Sequence, residues 1–116
     1  MPFINSKVTV KITPEKEEAI KQKLGKAIEN IPGKSEGWLM LGFEDEYTLY
    51  FKGAKCEKAA FVEVKVFARQ KVSSAALDNM TSELCRIYEE ELGIPAASIY
   101  IAYQMVEDWG WNGSNL

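Results

Sequence analysis

Two stretches of this 116-residue chain run through the same order of elements, and that repetition limits the folds open to it. Residues 3–12, FINSKVTVKI, carry Val8, Val10 and Ile12 at period two, the pattern of a half-buried strand. A helix follows over TPEKEEAIKQKLGKAIENI. Thr13 suits its N-cap and Pro14 its first position, and Glu15, Glu17 and Glu18 favour the positive end of the dipole. Ile20, Leu24, Ala27, Ile28 and Ile31 form its apolar face, and Pro32-Gly33 stops it. GWLMLGF at 37–43 predicts a second strand, apolar enough to be buried on both faces. The order then repeats. AAFVEVKVFA at 59–68 places Val62, Val64 and Val66 on one strand face. SSAALDNMTSELCRIYEEEL at 73–92 predicts a helix capped by Ser73 or Ser74, with Leu77, Met80, Leu84, Ile87 and Tyr88 inward and Cys85 a small core residue. Gly93 ends it, and SIYIAYQM at 98–105 is the last main strand. Between the units, YTLYF at 47–51 reads as a short strand and KGAKCEK as a loop.

Strand–helix–strand with a short connection crosses over right-handed, which makes its two strands parallel and puts the helix on one face. Two such units predict one α+β domain over residues 1–116. It is a duplicated βαβ, or split βαβ, fold with a four-stranded main sheet and both helices on one side. The other face of the sheet is expected to be apolar, through Trp38, Met40, Val64 and Tyr103, and so to need a cover. Oligomerisation through that face follows as the expectation.

Composition removes several classes of function. Apolar residues at 47% and charged ones at 27% are ordinary for a globular chain and argue against disorder. A net charge of −3 supplies no cationic field for nucleic acid or an anionic membrane, so neither is expected as a partner. No apolar run approaches the roughly 20 residues that span a bilayer. The opening MPFINSK lacks a basic segment followed by an apolar one, so a cytoplasmic location is expected, with any export by a non-classical route. The chain has no histidine, and Cys56 and Cys85 are too far apart for a CxxC motif. Histidine-dependent nucleophilic and metal chemistry is thereby removed, and neither metal nor cofactor is expected. Carboxylates, lysines, arginines, tyrosines and the chain's own amino terminus are left to carry any reaction.

Pro2 admits two readings. A proline lacks an N–H and is tolerated at the first residue of a strand, which explains it without any function. Alternatively, removal of Met1 leaves Pro2 as a free secondary amine that can act as a base. Its context favours the second. A duplicated βαβ chain that begins Met-Pro, carries PGKSEGWLMLGF before its second strand and closes on GIPAASIYIAY and GWNGS resembles the tautomerase superfamily. Within that superfamily it is most similar to macrophage migration inhibitory factor and its relatives, over nearly the whole chain. The resemblance implies a homotrimer with active sites at subunit interfaces. It also implies ketone–enol isomerisation of small 2-oxo acids such as phenylpyruvate.

The chemistry suits these residue types. An α-amino group has a pKa of roughly 8, and burial beside a cation lowers it further. A base poised near the working pH combines availability with strength. Carried over from the resemblance, Pro2 is the base, and Lys34 binds the substrate carboxylate or enolate oxygen. The other reading of Lys34 is an exposed lysine after a helix C-terminus. Phe67 falls at the position whose backbone N–H contacts the carboxylate, although VFARQ replaces the family's Ser-Ile-Gly turn. Arg69 there either adds a cation or stands in solvent. Tyr100 matches a tyrosine of the pocket wall, Trp38 an aromatic contributed by a neighbouring subunit, and Trp109 and Trp111 the tail that lines the mouth. Each aromatic also has a reading as core or interface packing. Ala102 stands where animal members have an asparagine, Leu116 replaces their terminal aromatic, and their CxxC is missing, so neither a phenolic substrate nor redox activity is carried over. Two further readings stand beside the tautomerase: a cytokine-like signalling protein with a vestigial pocket, and a superfamily dehalogenase or decarboxylase. The last needs arginines around the proline, and only Arg69 and Arg86 exist.

Overall fold

A computed structural model describes residues 1–116. Its main sheet has the order β2-β1-β5-β6, from β1 (Pro2–Val8), β2 (Met40–Glu44), β5 (Ala60–Phe67) and β6 (Ile99–Val106). β1 runs parallel to β2 and β5 parallel to β6, and the two units join antiparallel through β1 and β5. Helices α1 (Pro14–Ala27) and α2 (Ser74–Leu92) are the crossovers. Two small hairpins complete the chain: β3 (Tyr50–Phe51) with β4 (Ala54–Lys55), and β7 (Gly110–Trp111) with β8 (Ser114–Asn115). This is the expected split βαβ domain.

Local chemistry explains the helices. Thr13 Oγ1 accepts from the Lys16 N–H at 3.3 Å, and Ser73 Oγ from the Ala76 N–H at 3.1 Å, so Ser73 rather than Ser74 is the cap. Gly93 closes α2 with φ 68°, a left-handed position that favours glycine. Ile20, Leu24, Ala27 and Ile28 pack with Met80, Leu84, Ile87 and Tyr88 over Ile4, Val8, Val62, Val64 and Val66. At roughly 1.5–3 kcal/mol for each large apolar side chain buried, this layer is the main source of stability. One polar pair lies inside it, the Ser6 and Tyr88 hydroxyls hydrogen-bonded to each other.

Several expectations need correction. The first strand stops at Val8 instead of running to Ile12. Thr9 turns aside there, its hydroxyl donating to Glu57 O at 2.7 Å and accepting from the Ala59 N–H at 2.9 Å. The segment 37–43 is not one doubly buried strand. A 3-10 turn spans Glu36–Trp38, and β2 is a sheet edge whose Met40 is 69% exposed. Part of the expected loop KGAKCEK forms β4, and Cys85 is half-buried rather than a core residue. The helix-free face is only partly the apolar surface expected, for Trp38 and Met40 are exposed as expected but Val64 and Tyr103 are not on it. Val64 is fully buried on the helix side, and the Tyr103 hydroxyl bonds Thr81 at 2.7 Å under α2. Strand alternation puts polar groups on the open face instead, where Asn5 donates to Glu44 at 2.8 Å and Lys7 pairs with Glu63 at 3.1 Å. No helix is long and apolar enough to cross a membrane.

Candidate active site

β1 begins at one end of the sheet, and its pairing with β5 sets Pro2 opposite Val66. Beyond that register, the Phe67 N–H donates to Met1 O at 2.9 Å. The Phe67 carbonyl accepts from Lys34 Nζ at 2.6 Å. Lys34 arrives from the loop after α1, so the crossover of the first unit delivers a cation to the start of its own first strand. Met1, Pro2, Lys34 and Phe67 therefore meet at one corner.

A cleft of about 480 Å³ opens there, lined by Met1, Pro2, Phe3, Trp38, Met40, Trp109 and Trp111 among others. Trp38 and Trp111 meet edge to face with centroids 5.3 Å apart, and Trp109 tilts against Phe67 at 6.4 Å. The tail reaches the cleft because it folds back as the β7–β8 hairpin, which Leu116 N–H closes by donating to Trp109 O at 2.9 Å. Pro2 is buried, while Trp38 and Trp111 are 55% and 48% exposed. The cleft thus has a dry floor and a wet aromatic rim.

This corner changes the acidity of the chain's amine. The Met1 ammonium is lowered to about 6, first by burial, then by the Lys34 charge, and then by the Lys34 donor, which favours the neutral amine. The direction is the one a base near neutral pH requires.

Pro2, Trp38, Trp109 and Trp111 thus line one cleft, with Lys34 and Phe67 beside it. Trp38 reaches it from the same chain as Pro2, where a neighbouring subunit was expected to supply that aromatic. Tyr100 is elsewhere. It pairs with Phe61, five residues along β5 from Val66 and roughly 17 Å away at strand spacing. There it is 58% exposed and stacks edge to face on Phe51 at 5.2 Å. Ala102 lies on the same strand, opposite Glu63. Arg69 stands over the Phe67 ring at 5.4 Å, whereas Arg86 is exposed on α2, away from the cleft. Sequence reasoning missed Phe3 and Met40 as cleft residues. They meet as register partners across β1 and β2, a pairing that nothing within either strand specifies.

No protein-family model matches the chain, and no curated protein matches it in sequence. Solved structures do. Leishmania major MIF2 superposes with a TM-score of 0.89 at 29% identity, covering 100% of this chain and 97% of that one. A macrophage migration inhibitory factor homologue from Prochlorococcus marinus superposes at 0.80 with 28% identity, covering 97% of each. At the level of fold alone, a fused 4-OT determined as an asymmetric trimer superposes at 0.81 with 11% identity, covering 97% of this chain and 94% of that one. The fold is the one these structures share.

Proposed function

We propose that the protein is a cofactor-independent keto–enol tautomerase of phenylpyruvate-like 2-oxo acids, with Pro2 as its general base once Met1 is removed. The observation that carries this reading is geometric: the chain start lies in an apolar cleft with Pro2 buried and Lys34 beside it, and there the Met1 amine is lowered to about 6. Removing Met1 passes that environment to the Pro2 nitrogen, whose ring fixes the direction of its lone pair. It also frees the Phe67 N–H that the Met1 carbonyl now engages. The freed N–H and Lys34 then hold the substrate carboxylate and enolate oxygen, and Trp38, Trp109 and Trp111 bed an aryl group. The Pro2 nitrogen takes the enol hydroxyl proton, and the resulting ammonium returns a proton to C3. The balance closes with no other reactant.

Tyr100 belongs to the same reading through assembly. On β6 opposite Phe61, it stands too far from Pro2 to wall the cleft of its own chain, so we assign it to the cleft of a neighbouring copy. The unpaired edges β2 and β6 and the exposed Met40 and Tyr100 leave surface for that contact. A trimer, the state in which the fused 4-OT was determined, is the arrangement we adopt for it.

The test joins an intact mass to an enol–keto assay of phenylpyruvate on the same sample. Protein lacking Met1 is expected to be active and protein retaining it inactive, because acylation makes the Pro2 nitrogen an amide. Equal turnover by the two forms would return Pro2 to the role of a strand-edge residue.

A further inference from the structure

A second cleft, of about 590 Å³, opens on the far side of Phe67. Its charged side chains are Lys34, Arg69 and Lys71, and no carboxylate lines it. In a chain with more acidic than basic residues, that is an uneven distribution. None of these three cations has a carboxylate within 4 Å, a state they share with most lysines of the chain, and what sets them apart is that they gather in one cleft. Lys34 Nζ and Arg69 Cζ stand over the same Phe67 ring, at 6.0 and 5.4 Å. Ile31, Pro32 and Val72 form an apolar wall behind them, which strengthens whatever electrostatic contact is made there. The first turn of α2, just behind Ser73, carries no acidic residue to neutralise these cations. Like charges gathered without a counter-charge repel one another, and an anionic ligand relieves that repulsion.

We infer that Arg69 and Lys71 form a second anion subsite beside Lys34, so that among 2-oxo acids the protein prefers those bearing a second carboxylate. The inference rests on the tautomerase reading of the Pro2 cleft and narrows its substrate. One carboxylate sits at Lys34, next to the reacting carbon, and the other passes along the Phe67 ring to Arg69. The planar guanidinium can hold that carboxylate through two parallel hydrogen bonds, and Lys71 adds a point charge.

Equilibrium binding of two five-carbon ligands tests this on the Met1-processed protein. 2-Oxoglutarate and 2-oxopentanoate differ only in a terminal carboxylate against a methyl group. Wild type is expected to bind the diacid at least about tenfold more tightly, the scale of one good charge-assisted hydrogen bond. The double variant R69Q/K71Q should lose that preference and keep its affinity for 2-oxopentanoate. Both side chains are exposed, so the core is untouched by the exchange. Raising the salt concentration should shrink the wild-type ratio. A wild type that does not discriminate, or a double variant that discriminates as well as wild type, overturns the inference. Phenylpyruvate turnover, measured on the same wild-type sample, reads the tautomerase proposal separately, since the binding ratio does not depend on catalysis.

Discussion

At the scale of single residues, the corner of Met1, Pro2, Lys34 and Phe67 combines acidity with geometry. Pro2→Gly keeps an amine in place but frees its direction, and kcat/KM for phenylpyruvate should fall by roughly 100-fold without vanishing. Lys34→Ala tests the electrostatic half. If Pro2 is the base, its active form is the neutral amine, and activity should rise with pH through the amine pKa. Lys34 lowers the Met1 amine after burial does, by its charge and its donor, and if it acts on the Pro2 amine in the same way its removal raises that pKa. The acidic limb of the kcat/KM profile should move to higher pH, and the variant should lose more activity at pH 6 than at pH 8. A profile that scales down without moving would show that Lys34 only binds substrate.

At the scale of elements, the two crossovers depend on different supports. α1 is capped by Thr13, and Thr13→Ala should cost about 1 kcal/mol in urea unfolding. α2 is tied to the sheet by the buried Ser6–Tyr88 pair. Tyr88→Phe strands the Ser6 hydroxyl away from water and should cost about 1–3 kcal/mol. Adding Ser6→Ala removes the stranded group as well, and the double variant should recover much of that loss. If the two costs simply add, the pair is not coupled across the layer. Burial also raises the Tyr88 hydroxyl above the ordinary tyrosine range, so it remains a neutral partner for Ser6 across the usable pH range.

At the scale of the whole molecule, Pro2 and Tyr100 occupy different ends of one sheet. If neighbouring copies complete the site, sedimentation should report three times the 13.1 kDa of one chain. Pro2→Gly and Tyr100→Ala subunits, each weak alone, should then complement when unfolded together and refolded as mixed trimers. In such a trimer, an intact Pro2 from one subunit can face an intact Tyr100 from the next. A mixture no more active than the mean of its parents would place Tyr100 outside the site.

Much of the architecture was legible in the sequence because it rests on short-range rules. Period two in VEVKV, the helical spacing of Ile20, Leu24, Ala27 and Ile28, and the punctuation by Thr13, Ser73 and Gly93 act within a few residues. Chirality then limits how each unit can close, so the split βαβ fold followed. Pro2 was a candidate because a chain start is a local feature, and Lys34 only because its Gly-Lys pair resembles that of a known family. What tertiary structure alone decided is which distant residues meet. The antiparallel register of β1 on β5 brings Phe67 to Met1, and the path after α1 brings Lys34 to the Phe67 carbonyl. The same sheet carries Tyr100 away from Pro2 and turns Val64 and Tyr103 toward the helices. A one-residue slip in register reverses the face of every side chain, and nothing within either strand specifies its partner's register. That choice belongs to the packed core, which is buried only when the whole chain has folded.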